Sequence, residues 1–463
     1  MPLLRTRLSV MMFLEFFIWG AWFPLVFKYV PDLGKNGWDW HPLPANLINT
    51  LGLNGWEVIL IFSAFPASAL IAVFFSNQFA DRTFSAEKFL AVSQFIGGAA
   101  MFGLALLPRP SGTEPAMLWP FFGLMLLHTL LYVPTISITN SIAFANMPSS
   151  KDFGFIRLWG TIGWIAAAWP FVFILVDWDK VPGMADVGFV TWLKTALGTE
   201  KKGEAAQIAT TYTFMAAGGA SLLLAAFSLV LPHTPPKKSG EALAWLEAVK
   251  LLRHPFILVL FVVTFLDAAV HQFYFVWSAT FLTDGVNLPV NWVMPVMSIG
   301  QVAEIVTMAF LAFVLKRLGW RWTMIFGILG HAARFAVFAF AQKLPVELQQ
   351  PAAITVNILH GICYAFFFAT VYIFIEDYFP KDARTSAQGL FNMLILGLGP
   401  IFSNFVSGKL VEKGGRLEEF FTRVTEVGRK PDFQAIFCVP LAAALFAAML
   451  LLLLFYPPKK AEA

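Results

Sequence analysis

Ionisable side chains occur inside segments that are otherwise apolar. The stretch FIRLWGTIGW (155–164) contains Arg157 with no acidic residue within four positions, and MSIGQVAE (297–304) ends in Glu304, near the middle of a second apolar stretch. An ionised side chain at the centre of a bilayer costs at least about 2.5 kcal/mol and is rarely retained without a partner. Guanidinium and carboxylate groups at such positions are suited to binding a polar ligand or a proton.

Polar side chains also recur at helical spacing on two segments. In TFLDAAVHQFYFVWS (264–278) four of them follow at intervals of four, three and four residues, and in MSIGQVAEIVT (297–307) four occur at every third residue. Each set therefore lies on one face of a helix, which we expect to avoid lipid. The sets are Asp267, His271, Tyr274 and Ser278, with Gln272 on the same helix, and Ser298, Gln301, Glu304 and Thr307.

The carboxyl groups on these faces are the candidates for carrying a proton. Glu304 must be paired, hydrated or protonated, because a lone ionised carboxylate at that depth is too costly. We predict that Glu304 couples proton movement to ligand binding, and that Asp267 contributes to the same coupling.

Arg157 has two interpretations. It lies a few residues inside its segment, so its long side chain could extend to the cytoplasmic interface, as Arg384 would at the start of a later segment. Alternatively, it faces a central cavity and offers its guanidinium to a polar ligand or to Glu304, with Thr161 one turn further along the same face.

Four other polar residues stand in apolar segments. Glu15 is either a second proton carrier or a wetted residue of a gate, and Arg334 is either a structural charge or one that extends to the interface. His128 and Asn140 are interpreted as hydrogen-bonding residues between helices.

The composition places these residues in a membrane. Of 463 residues, 58% are hydrophobic and 13% are charged, whereas soluble domains have about 25% charged residues. The net charge of +4 is spread between loops, so we predict no nucleic-acid partner. Cys363 and Cys438 lie in apolar runs and form neither a disulfide framework nor a metal site. We predict no cofactor and no enzymatic activity, since no phosphate-binding loop or nucleophile motif occurs.

Twelve apolar segments are long enough to span a bilayer as helices. The short loops after the second, fourth, eighth and tenth segments carry Lys and Arg, which places them and both termini in the cytoplasm. The first segment is predicted to be an uncleaved span, because it lacks a small-residue cleavage site. The segments are 9–30, 56–79, 88–107, 117–146, 153–176, 209–231, 254–283, 291–315, 321–341, 350–379, 386–411 and 433–456.

The chain divides into two halves of six segments. Its widest inner connection predicts a bundle over 1–231, a cytoplasmic linker over 232–253 and a second bundle over 254–463. Arg157 and Arg384 open corresponding segments of the two halves, and a Gly follows each within a few residues. Two parallel six-helix repeats are the architecture of major facilitator transporters. We therefore predict an all-α integral membrane protein with this fold.

The loop FADRTFSAEK (79–88) resembles the Asp-Arg loop that joins the second and third helices of that superfamily. Asp81 and Arg82 occupy the expected positions, and the resemblance implies a latch at the cytoplasmic gate. The alternative is that the basic residues here only fix the topology.

Five stretches, in order along the chain, resemble the nucleoside:proton symporter family, the bacterial nucleoside permeases of the major facilitator superfamily. They are FLEFFIWGAW (13–22), YVPTISITNSI (132–142), IRLWGTIG (156–163), MSIGQVAE (297–304) and RTSAQGL followed by VSGKLVE (384–412). The resemblance implies proton-driven nucleoside uptake across the bacterial inner membrane by a protein with no cofactor, which we expect to act as a monomer.

The resemblance also implies which residues bind the nucleoside. Three positions depart from the family: Phe275 stands in place of an Asn, Ala365 in place of an acidic residue, and His360 in place of a Tyr. The implied binding residues are Arg157, Thr161, Trp164, Gln272, Gln301, Glu304, His360 and Tyr364. A carrier of a sugar or drug on the same scaffold and a membrane sensor that does not transport remain the alternatives.

Overall fold

The computed structural model describes residues 2–34, 38, 56–75, 85–110, 114–147, 153–235, 249–379, 384–412, 415–425 and 428–457. The predicted gate residues Asp81 and Arg82 lie outside these ranges, as does most of the predicted linker, residues 236–248.

The amino-terminal half consists of long apolar helices joined by shorter ones. Ala, Leu, Phe and Ile dominate these helices, so their side chains suit an apolar surrounding. The helical hydrogen bonds satisfy the backbone polar groups where water is absent. The helices are α1 Pro2–Leu33, α2 Trp56–Phe75, α3 Ala86–Leu106, α4 Leu118–Asn146, α5 Phe153–Ala168, α6 Pro170–Ile174, α7 Met184–Val187, α8 Phe189–Gly198 and α9 Gly203–Ser228.

The carboxyl-terminal half follows the same pattern, and its described residues include three π-helical segments, at Phe281–Gly285, Tyr364–Ala369 and Met393–Leu398. Such segments often mark functional sites because they shift the register of the side chains on either side. The helices are α10 Pro255–Thr280, α11 Val293–Phe340, α12 Val346–Thr355, α13 Leu359–Cys363, α14 Thr370–Tyr378, α15 Arg384–Asn392, α16 Gly399–Leu410, α17 Glu418–Phe421 and α18 Phe433–Leu454.

Ten helical stretches among the described residues are long and apolar enough to cross a membrane, and Trp56–Ala72 is a shorter apolar helix. The longest stretch, Val290–Lys343, is interrupted at Gly319, where φ is 71°. Residues with a Cβ rarely adopt this conformation, so Gly319 ends one helical segment and allows the next to begin. The helical membrane class is confirmed, while the number of twelve spans stays a prediction.

Two connections between the predicted apolar segments contain structure of their own. Residues 177–208 include the short helices α7 and α8. Residues 412–432 include an antiparallel hairpin of β1 (Thr422–Thr425) and β2 (Gly428–Pro431). Arg423 donates from Nε to Asp432 at 2.6 Å. Partial burial acts to raise the pKa of Asp432, but hydrogen bonds from Arg423 and from backbone amides hold it below its ordinary value.

The chain forms two compact units. The amino-terminal unit comprises Met1–Ser68, Phe75–Lys237 and Trp277–Ser298. The carboxyl-terminal unit comprises Ala69–Phe74, Lys238–Val276 and Ile299–Ala463. In the first unit, α1 packs on α5 and α9, and α3 packs on α4 and α9. The predicted bundle boundaries at residues 231 and 254 stay a prediction.

Candidate functional site

Arg157 lies on α5, beside α1 in the amino-terminal unit. Its guanidinium carbon is 3.8 Å from the centre of the Phe16 ring, and the side chain is half-buried. The two helices approach closely at Gly163, where a Cβ atom would stand 2.1 Å from the carbonyl oxygen of Phe13. A cation over an aromatic face is stabilised by the ring quadrupole. Phe16 therefore supplies Arg157 with a favourable contact inside its own unit.

The other two predicted residues of α5 follow Arg157 on the same face. Thr161 is half-buried and Trp164 is buried. The edge of one indole meets the face of the other where Trp164 contacts Trp19 of α1, with ring centres 5.2 Å apart. Trp19 in turn stacks on Phe65 at 5.0 Å. The face that carries Arg157 thus continues into an aromatic cluster.

A cavity of about 410 Å³ also lies beside α1 and α5. None of the predicted site residues lines this cavity. Phe155 and Trp159 line it, and each is two residues from Arg157, which places them about 200° around the helix from it. The cavity therefore lies on a different face of α5 from the candidate site.

In the carboxyl-terminal unit, the polar face of α11 is turned away from the surface. Gln301 is only 9% exposed and Glu304 is half-buried. By contrast, Val302, Val306 and Phe310 on the remaining faces are 50–60% exposed. This difference agrees with the expectation that the polar face avoids lipid, which stays a prediction.

A close backbone contact fixes the position of Glu304. A Cβ atom at Gly361 of α13 would stand 2.2 Å from the backbone nitrogen of Glu304. One turn earlier, a Cβ atom at Gly300 would stand 2.8 Å from Cβ of His360. The two predicted residues Glu304 and His360 are therefore positioned by one contact between α11 and α13. Tyr364, the next predicted residue, begins the π-helical segment that follows.

Gln272 is buried on α10 and donates from Nε2 to Oδ1 of Asn404 on α16 at 3.0 Å. Sequence reasoning missed Asn404. The sequence did indicate this residue, because an amide side chain in the apolar run IFSNFVSG (401–408) requires a hydrogen-bonding partner.

Five ionisable side chains form a buried cluster, here called the histidine cluster: Asp267, His271, His331, Arg334 and His360. Nδ1 of His331 is 2.9 Å from Oδ1 of Asp267, and Nη1 of Arg334 is 2.7 Å from Nδ1 of His360. The ring centre of His271 lies 4.9 Å from that of His360 and 5.5 Å from that of His331. The predicted residues Asp267 and His360 therefore belong to one continuous group.

Arg334 is fully buried at 0% exposure, which excludes the interpretation that it extends to the interface. Its guanidinium carbon lies 4.0 Å over the ring of Tyr274, whose hydroxyl donates to Asn357 at 2.7 Å. Because a guanidinium only donates, Nδ1 of His360 must accept, and the proton of this neutral imidazole is on Nε2.

Sequence reasoning missed His331. The pattern GHAAR places it three residues before Arg334 on an apolar helix, and this spacing could have indicated a shared face. Among the residues that the structure describes, no group of three His, Cys, Asp or Glu side chains could hold a metal ion. The histidine cluster is thus a hydrogen-bonded and electrostatic arrangement.

Comparison with known proteins decides the family. Residues 3–184 and 177–460 match the sequence model of the family described as "Nucleoside H+ symporter". The chain belongs to the nucleoside H+ symporter family. Members of this family are transporters, and the predicted resemblance is confirmed.

Relatives and a solved structure agree with this assignment. The putative nucleoside transporter YegT of Escherichia coli is 32% identical over 414 residues, which are 88% of this chain and 84% of YegT. The nucleoside permease NupG of Escherichia coli is 26% identical over 427 residues, 88% of each chain. The crystal structure of nucleoside transporter NupG superposes with a TM-score of 0.72 at 24% identity, covering 98% of this chain and 100% of that one. The fold is therefore of the major facilitator type.

The predicted site residues of the symporter fall into two groups, one in each unit. Arg157, Thr161 and Trp164 lie together on α5, and the remaining described residues lie on α10, α11, α13 and the π-helical segment after α13. An ion pair between Arg157 and Glu304 stays a prediction.

His128, which was interpreted as a hydrogen-bonding residue between helices, has this role in the structure. Its Nδ1 on α4 lies 3.0 Å from the carbonyl oxygen of Gly97 on α3.

Replacing Arg334 with Met is expected to destabilise the symporter strongly. The change removes the cation beside Asp267 and the donor to His360, and breaking a buried charge arrangement costs about 3–5 kcal/mol. The thermal midpoint of the purified protein in detergent measures the effect. Arg317→Met is the matched control, because Arg317 is an exposed arginine on the helical segment that precedes Gly319. Equal midpoints for Arg334→Met and the unmodified protein would contradict a structural role for the buried charge.

Proposed function

We propose that the symporter imports nucleosides together with protons across the inner membrane by alternating access, with both termini in the cytoplasm. The family assignment supports this proposal, as do relatives that are nucleoside permeases by name. The observation that carries it is the half-buried Glu304 on the polar face of a helix whose other faces are exposed and apolar. Such a carboxyl group inside a membrane serves a proton pathway or a substrate site.

The binding groups match the chemistry of a nucleoside. The guanidinium of Arg157 and the amides of Gln272 and Gln301 suit the hydroxyl groups of ribose and the polar edge of a base. Trp164 and Tyr364 provide aromatic faces on which a base can stack. His360 contributes to nucleoside binding as a donor. Its Nδ1 accepts from Arg334, which leaves the hydrogen on Nε2 for the nucleoside.

Coupling to one proton provides enough free energy for concentrative uptake. A proton moving down about 100 mV releases roughly 2.3 kcal/mol, and one pH unit adds about 1.4 kcal/mol. The total of roughly 3.7 kcal/mol sustains a nucleoside gradient of about 500-fold. In this mechanism Glu304 takes up the proton from outside and releases it to the cytoplasm.

Uptake of radiolabelled uridine and adenosine by cells that express the symporter tests the proposal. We expect accumulation above the external concentration, and we expect a protonophore to abolish it. Unlabelled nucleosides should compete, whereas xylose should not. Uptake that is blocked by a sugar but not by nucleosides, or that is unaffected by the protonophore, would overturn the proposal.

Replacing Arg157 with Lys is expected to weaken nucleoside binding by about tenfold or more. Lys keeps the charge but loses the planar, two-donor geometry and the stacking on Phe16. One hydrogen bond to a charged group contributes about 1.5–3 kcal/mol. Equilibrium binding of labelled nucleoside to purified protein gives the Kd. Arg317→Lys, on an exposed position, controls for the general effect of the exchange. An unchanged Kd for Arg157→Lys would remove Arg157 from the site.

A further inference from the structure

Glu15 lies in the interior of the amino-terminal unit, at 0% exposure. Nε2 of Gln94, on α3, donates to its Oε2 at 3.0 Å, and Oγ of Thr135, on α4, is 2.7 Å from its Oε1. The hydroxyl of Tyr132 donates to its backbone oxygen at 2.6 Å. Among the residues that the structure describes, no Lys, Arg or His forms an ion pair with this carboxyl group. Its environment is therefore polar but without a compensating cation.

The hydrogen atoms available around Thr135 indicate the protonation state of Glu15. Oγ of Thr135 accepts from Nε2 of Gln94 at 2.9 Å and is in hydrogen-bond contact with the backbone oxygen of Tyr132. A hydroxyl has one hydrogen, and a carbonyl oxygen can only accept. If Thr135 donates to Tyr132, the contact between Thr135 and Glu15 needs a hydrogen on Glu15. All three contacts are satisfied at once only when Glu15 is a neutral carboxylic acid.

The orientation of the Gln94 amide does not alter this result. In the orientation described, its Oε1 accepts from the hydroxyl of Ser221 on α9. In the reversed orientation, the amide oxygen would face Oε2 of Glu15, and two acceptors would meet at 3.0 Å. A hydrogen on Glu15 is again required. Both assignments of the amide therefore place a proton on this carboxyl group.

We propose that Glu15 is a second proton-binding site of the symporter, which holds a proton in this conformation and exchanges it during transport. The proposal rests on the proposed function and adds a carrier in the amino-terminal unit to Glu304 in the other unit. The network accommodates both states. On release, the O–H bond of Glu15 breaks, the proton leaves to water, and the Thr135 hydroxyl rotates from Tyr132 to donate to the carboxylate.

The titratable groups around Glu15 come from two neighbouring helices. On α4, Tyr132 contacts its backbone oxygen, and the ring of His128 stacks on Tyr132 with centres 5.4 Å apart. On α5, the cation of Arg157 lies over Phe16, the residue next to Glu15. The contacts from α3 and α9 are made by the uncharged side chains of Gln94 and Ser221. Arg157 is the cation that would favour the ionised state.

Infrared difference spectroscopy of the purified symporter tests the protonation state. The spectrum of the unmodified protein minus that of Glu15→Gln is expected to contain the C=O stretching band of a protonated carboxylic acid, which shifts in D2O. Gln replaces the neutral acid closely, because its amide can donate to Thr135 and accept from Gln94. Glu204→Gln, at an exposed glutamate of the same unit, is the control. A difference spectrum without the band would overturn the proposal.

The ratio of protons to nucleosides, measured from the reversal potential in proteoliposomes, tests the exchange of that proton. Glu15→Gln is expected to lower the ratio, and Glu15→Asp, which keeps a titratable group, to restore it. An unchanged ratio in Glu15→Gln would mean that the buried acid is structural only. If Glu15→Gln fails to fold, the carboxyl band must still shift in Glu15→Asp, and an unshifted band overturns the assignment. Failure of the unmodified protein to move nucleosides would refute the proposed function and leave the infrared result to decide the state of Glu15.

Discussion

Glu304→Gln is expected to lower the nucleoside gradient that the symporter sustains by the factor of about 500 that one proton provides. Gln preserves the size and hydrogen-bonding capacity of the side chain but cannot take up and release a proton. Without that step, the free energy of the proton that Glu304 carries is no longer linked to the nucleoside. The physical basis is the position of Glu304 on the half-buried polar face of α11, where an ionised carboxylate needs compensation.

Vesicles with an imposed pH gradient provide the measurement. The internal and external concentrations of labelled nucleoside are compared after the signal becomes constant. Glu347→Gln, which alters an exposed glutamate in the first turn of α12, should accumulate nucleoside like the unmodified protein. Accumulation by Glu304→Gln to the same gradient as the unmodified protein would show that Glu304 is not a coupling carboxyl group.

Gly361→Ala is expected to destabilise the carboxyl-terminal unit and impair transport. The added Cβ atom would stand 2.2 Å from the backbone nitrogen of Glu304 and 2.3 Å from the carbonyl carbon of Ala303. Backbone atoms cannot move aside as the end of a side chain can, so α11 and α13 must separate. Overpacking of this kind costs about 1–3 kcal/mol.

The thermal midpoint and the initial rate of nucleoside uptake measure this effect. Gly219→Ala is the matched control, since Gly219 lies in helix α9 and a Cβ atom there meets nothing within 4 Å. Ala is the better helix former, so the control should melt at an equal or higher temperature. If Gly361→Ala matched the control in both measurements, the close contact between α11 and α13 would be unimportant for the site.

Much of the candidate site follows from local sequence. The three-residue spacing of Gln301 and Glu304 was sufficient to place them on one face, because helical geometry relates neighbouring residues whatever the tertiary structure. The membrane class followed from composition, because about 30 Å of hydrocarbon requires long apolar segments.

Other parts of the site depend on residues far apart in the chain. The sequence left Arg334 either as a structural charge or as a side chain that extends to the interface. The structure decides between them, because α10, α11 and α13 enclose Arg334 together with Tyr274 and His360. Glu15 likewise acquires its partners from Gln94 and Thr135, 79 and 120 residues away. No local pattern specifies such pairs, because they arise from the packing of separate helices.

The sequence by itself determined the helical membrane class, the family and the polar faces of the helices. These properties depend on hydropathy and on spacing within a single helix, both of which are local. The tertiary structure alone decided which ionisable groups are fully buried and which atoms they contact. The hydrogen bonds of Glu15 and of the histidine cluster depend on side chains from different helices meeting within about 3 Å, and only the packed structure fixes distances of that order.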